Sequence, residues 1–60
     1  MTQKSEISCL IVEDEPLLAL DIEATLTEVG FAVQGPFGFV SEALAHMQRA
    51  APHAAIVDYE

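Results

Sequence analysis

Two groups of acidic residues stand where chemistry would be placed. Asp58 ends the apolar run Ala54-Ala55-Ile56-Val57. The acids Glu13-Asp14-Glu15 end a second apolar run, Ile7-Ser8-Cys9-Leu10-Ile11-Val12. If both runs are neighbouring parallel strands, their carboxyl ends share one edge of a sheet, the edge where α/β folds place ligands. Carboxylate oxygens there suit a hard cation such as Mg²⁺, Mn²⁺ or Ca²⁺, and do not suit a soft metal. Without a cation, clustered carboxylates repel one another and bind protons more readily. A cation relieves that repulsion and screens an incoming phosphoryl anion. Asp58 then has the chemistry of a nucleophile that forms an aspartyl phosphate. Both groups also have ordinary uses. Acids at a helix start cap it and complement its dipole, and an Asp after a strand is a common turn residue. The joint pattern is more specific than either half.

The elements that must position these acids are legible. Ile7 to Val12 is nearly continuous in apolar character, as in a strand covered on both faces. Pro16 follows the acidic loop at a favoured first helical position. Leu18, Ile22, Thr25, Leu26 and Val29 then recur at helical spacing, with Asp21, Glu23, Thr27 and Glu28 mainly on the other face, and Gly30 is a C-terminal stop. Phe31 to Gln34 reads as a short second strand, and Gly35-Pro36-Phe37-Gly38 as a breaker. A second helix runs from Phe39 or Val40 to Arg49 and is expected to bury Val40, Ala43, Leu44 and Met47, with Pro52 beyond it. Ala54 to Val57 is the third strand. The order β-α-β-α-β with short connections implies parallel strands and right-handed crossovers. The predicted fold class is α/β, an open parallel sheet with helices packed on it. Residues 1–6 form a lead-in expected to be flexible.

Composition narrows the function further. Sixty residues make at most one small domain, and 52% of them are hydrophobic. Ten acids face two bases, Lys4 and Arg49, so no basic patch exists for nucleic acid or an anionic membrane surface. A cation or a cationic partner fits better. The single Cys9 reads as a small core residue and suits a reducing, cytoplasmic setting. Neither a signal-peptide pattern nor a membrane-spanning run is present. His46 and His53 lack the spacing of a metal pair, and the acidic first turn has no glycine loop for phosphate.

The run Leu10-Ile11-Val12-Glu13-Asp14-Glu15-Pro16 resembles the opening of the receiver domain of two-component response regulators. The helix closing at Gly30, then Ser41-Glu42-Ala43-Leu44, then Ile56-Val57-Asp58, extend the resemblance from Ile7 to Glu60. It implies that Asp58 accepts a phosphoryl group from a sensor histidine kinase or phosphotransfer protein. It also implies that Asp14 and Asp58 ligate Mg²⁺ (or Mn²⁺) directly, with Glu13 acting through water and the Glu60 backbone carbonyl as a further ligand. Glu15 matches no ligand position and reads as a solvated helix-start residue. A receiver has five strands, and these residues supply three. The family's switch Ser or Thr and its phosphate-pairing Lys have no counterpart, and His53 stands where an acid often follows the proline. The chain thus resembles the N-terminal half of a receiver, which implies a partial flavodoxin-like (CheY-like), doubly wound α/β sheet with strand order 2-1-3 and a regulatory phosphoacceptor rather than an enzyme.

Two other readings stay open. One is a dimerisation or decoy module without phosphorylation. The other is a metal-dependent phosphohydrolase fragment, for which no general acid is visible. In the order 2-1-3 the third strand leaves an apolar edge that invites a homodimer.

Overall fold

The computed structural model describes residues 7–58. The expected lead-in at 1–6 and Glu60 lie outside the described residues. Five elements follow in order: β1 (Ser8–Glu13), α1 (Pro16–Glu28), β2 (Ala32–Phe37), α2 (Val40–Met47) and β3 (Ala54–Asp58). The three strands form one parallel sheet ordered β2-β1-β3. This is the partial flavodoxin-like α/β unit that the sequence predicts.

Helix α1 begins and ends through local chemistry. The Glu15 carboxylate accepts a hydrogen bond from the Leu18 N–H at 3.0 Å, and Pro16 takes the position whose missing N–H is harmless. At the far end Gly30 has φ +105°, its N–H reaches the Thr27 carbonyl at 3.0 Å, and the Phe31 N–H reaches the Leu26 carbonyl at 3.0 Å. These are the paired bonds of a Schellman stop, and the positive φ explains the glycine.

The core is concentrated on β1. Cys9, Leu10, Ile11 and Val12 are all buried, because a parallel central strand is covered on both faces. Leu10 and Val12 cluster with Ala43 of α2, and Phe37 packs against them. Cys9 and Ile11 point to the opposite face by strand alternation. The crossovers β1-α1-β2 and β2-α2-β3 run in opposite directions across the sheet, so connections of the same hand put α1 on that second face. The helices pack on β1 and β2, whereas β3 touches β1 alone among the described residues.

The expected helix faces need correction. Ala19 and Ala43 are the buried helix residues, and Ile22 and Leu26 are half-buried. Leu18 and Thr25 on α1 and Val29 at its C-cap are exposed, as are Val40, Leu44 and Met47 on α2, while Glu23 is half-buried. Small alanines let a helix approach the sheet closely. Three strands then make a platform too narrow for the larger side chains, which overhang its margins. Helix α2 also ends at Met47, not Arg49, with the N–H groups of Arg49 and Ala50 both turning back to the His46 carbonyl.

Gly35-Pro36-Phe37 continues β2 instead of breaking it. Leu10 pairs with Gln34 and Val12 with Phe37, so β2 places two residues, Gly35 and Pro36, opposite the single Ile11. A bulge of this kind needs a special backbone. Gly35 supplies φ +102°, and a Cβ there would come within 3.0 Å of the Ile11 carbonyl oxygen. Pro36 is tolerated because β2 is an edge strand.

The acidic end of the strand pair

The register of β1 and β3 sets Glu13 directly across from Asp58. The sequence reading placed Glu13 in a loop, but it is the last residue of β1 and only 5% exposed. Asp58 ends β3 and is exposed, and Asp14 is exposed one residue beyond Glu13. The juxtaposition of the two strand ends is therefore present. Asp14 sits in the bend that leads to α1.

Each acid of the Glu13-Asp14-Glu15 run has a different environment. Glu15 caps α1, so the ordinary helix-start use holds for it. Glu13 Oε2 accepts the Glu15 N–H at 3.0 Å and fixes the turn. Glu13 Oε1 is buried with no hydrogen-bond partner. A buried carboxylate oxygen without a donor is costly, and such an atom calls for a proton or a cation.

The electrostatics agree with that geometry. The bond from the Glu15 N–H lowers the Glu13 proton affinity. Loss of water and the facing carboxylate of Asp58, with the charge of Asp14, outweigh it. The Glu13 carboxyl is therefore held above its ordinary value of 4.5. A carboxyl with a raised folded-state pKa binds its proton more readily when folded. Its contribution to stability is greatest below the ordinary value and is lost as pH rises through the raised one. Glu13→Gln keeps an acceptor for the Glu15 N–H and removes the charge. In chelator, this variant is expected to be more stable than wild type at neutral pH, with the difference vanishing in acid. Urea unfolding across that range checks it, and a variant less stable at neutral pH would contradict the assignment.

The donors present fit a hard cation in kind. They are all oxygens, and one of them is buried and unpartnered. Among the described residues, no three acidic, His or Cys side chains converge on a ready-made metal position. Magnesium does not require such a cage, since it keeps several waters and binds through one or two carboxylates. Glu13 and Asp58 supply two across the strand pair, and Asp14 is next in the chain.

The structural contact of His53 is not legible from its sequence neighbourhood. Its ring nitrogen Nδ1 accepts the Ser8 N–H at 3.0 Å, at the opposite end of the same strand pair. A polar residue just before a strand carries no signal that its side chain will bond to a residue 45 positions away.

No helix among the described residues is long and apolar enough to cross a membrane. No protein-family model, curated protein or solved structure matches the chain.

Proposed function

We propose that this chain carries the phosphoacceptor side of a two-component receiver, working in the cytoplasm, with Asp58 as the acceptor. The observation that carries this reading is the Glu13–Asp58 register, which leaves a buried, unpartnered carboxylate oxygen beside a solvent-exposed aspartate. An exposed Asp58 can reach a phosphodonor. The donor is a phosphohistidine on a sensor histidine kinase or phosphotransfer protein. A carboxylate oxygen of Asp58 forms the new P–O bond, the P–N bond breaks, and the imidazole leaves with its electron pair and takes a proton. Asp14 and Asp58 would hold Mg²⁺ or Mn²⁺ directly and Glu13 through water. The Glu60 carbonyl, outside the described residues, belongs to the same proposal. The cation supplies positive charge against the phosphoryl oxygens. No Lys or switch Ser/Thr of the receiver type completes the set in these residues, so the acyl phosphate is expected to be short-lived.

The test is rapid-quench phosphoryl labelling with Mg²⁺ and a phosphorylated histidine phosphotransfer protein. The expected label is substoichiometric, labile to mild base, dependent on Mg²⁺ and absent from Asp58→Asn. A label that persists in Asp58→Asn, or no label at any quench time, would overturn the assignment.

One observation favours the unphosphorylated dimerisation module as a second reading. The outer edge of β3 has no strand beside it among the described residues, and Val57 is 61% exposed. Exposed strand edges pair with other chains. Two β3 strands can pair antiparallel about a twofold axis, giving a continuous sheet ordered 2-1-3-3-1-2. Sedimentation equilibrium at tens of micromolar is expected to return a mass above that of one chain. A monodisperse, cooperatively folded monomer would rule out self-association.

A further inference from the structure

Strand β3 has an unusual problem of register. Of its side chains from Ala54 to Val57, only Ile56 is half-buried and the rest are exposed, and no helix lies on it among the described residues. Packing therefore does little to distinguish one alignment on β1 from another. A slip of two residues would even preserve which side chains face which side of the sheet. Yet the acceptor site exists only in the alignment that sets Asp58 across from Glu13.

A polar tie at the other end of the ladder supplies the missing constraint. The Ser8 N–H donates to His53 Nδ1 at 3.0 Å. The His53 N–H donates to the Ser8 carbonyl oxygen at 3.1 Å and to Ser8 Oγ at 3.2 Å. Ser8 Oγ also lies 3.2 Å from Nδ1. Backbone and side chain of both residues take part, so the contact fits one alignment and no neighbouring one. Because Nδ1 accepts from a backbone N–H, it carries no proton in this arrangement. Glu13 lies five residues after Ser8, and Asp58 five residues after His53. Fixing the first pair counts out the second along two parallel strands of equal rise.

We propose that His53 is a positioning residue, a register lock that delivers Asp58 to Glu13 from the far end of the β1–β3 ladder. Its purpose rests on the phosphoacceptor reading, but the lock can be tested without that reading. The experiment follows cross-strand NOEs between β1 and β3, amide exchange at Ser8, and Mg²⁺ affinity by titration. In His53→Ala, protection of the Ser8 amide is expected to fall about fivefold or more, the loss of one net hydrogen bond. The Glu13–Asp58 cross-peaks should weaken or split between registers, and Mg²⁺ affinity should fall with them. His53→Asn places an acceptor oxygen near the position of Nδ1 and is expected to restore all three. A merely space-filling role for His53 would not be rescued by so small a side chain. If His53→Ala fails to fold, Ser8→Ala removes the hydroxyl contacts alone and is expected to give a partial loss of the same cross-peaks. Unchanged cross-peaks and unchanged Ser8 exchange in a folded His53→Ala overturn the lock, as would unchanged cross-peaks in Ser8→Ala where His53→Ala cannot be read. Should wild type show no Mg²⁺ binding while the cross-peaks respond as expected, the metal assignment fails and the lock stands.

Discussion

Ile11→Ala is expected to abolish cooperative folding or come close to it. Ile11 is 0% exposed on the central strand, between neighbours on both edges. Truncating such a side chain costs about 2–5 kcal/mol, from lost transfer energy and the cavity left behind. A domain of this length has a total stability of roughly 3–9 kcal/mol at about 0.05–0.15 kcal/mol per residue. The exposed faces of β3 and the overhanging leucines argue for the lower part of that range. At about 4–8 °C per kcal/mol the melting temperature falls by at least ~8 °C. The paired control is Leu17→Ala, where the side chain is 75% exposed and the expected change is within about 0.5 kcal/mol. Circular-dichroism melts of the two variants separate the cases. Equal melting temperatures would show that the β1 core does not hold the fold.

Asp58→Asn should move two measurements in opposite directions. Without a divalent cation it removes a negative charge facing Glu13, one of the causes that hold the Glu13 carboxyl above its ordinary range. The folded chain then loses a repulsion, and neutral-pH stability rises. With Mg²⁺ present, the same substitution deletes a charged donor. Contacts to charged groups are worth roughly 1.5–3 kcal/mol, so affinity should fall about tenfold to a hundredfold. Stabilisation by saturating Mg²⁺ shrinks accordingly, because a ligand stabilises only in proportion to its binding. Calorimetric titration and chemical unfolding in chelator read the two effects separately. Destabilisation in chelator together with unchanged Mg²⁺ affinity would mean that Asp58 is an ordinary turn residue.

The parts of this fold that were legible in the sequence are those with strong local physics. A short, nearly continuous apolar run reads as a covered strand, and the burial of Ile11 bears it out. Pro16 and Gly30 mark α1 because missing donors and positive φ are local properties. The parallel direction of the strands follows from short β-α-β connections, and the order 2-1-3 answers to the expectation that the two acidic strand ends lie side by side. What was not legible depends on contacts made at a distance. Helical periodicity proposes Leu18, Val40 and Leu44 as inward residues. It cannot say that the sheet is too narrow to receive them, or that Ala19 and Ala43 would set the approach instead. Gly35-Pro36 reads as a break from composition alone, and only an edge position beside β1 turns it into a bulge. At the acidic end, the types and spacing of Glu13, Asp14 and Asp58 pointed to one edge of the sheet. The division of labour among the three neighbouring acids arises from the turn. Glu15 caps, Glu13 is buried with one oxygen unpartnered, and Asp14 faces water.

The concentration of buried residues on β1 also determines how this chain tolerates change. Apart from Ala19 and Ala43, every buried residue among those described belongs to that one strand. Substitutions at exposed positions away from caps, bulges and sites are close to neutral. Mutational load is therefore borne by a short contiguous segment, while both helix surfaces and most of β3 are free to drift. A library randomised at exposed positions outside β1, the caps and the bulge would retain many folded members, and one randomised within β1 would retain few. Glu13 lies inside the intolerant segment and Asp58 outside it. The two halves of the candidate site thus sit under unequal constraint, one guarded by the fold itself and the other only by whatever function it performs.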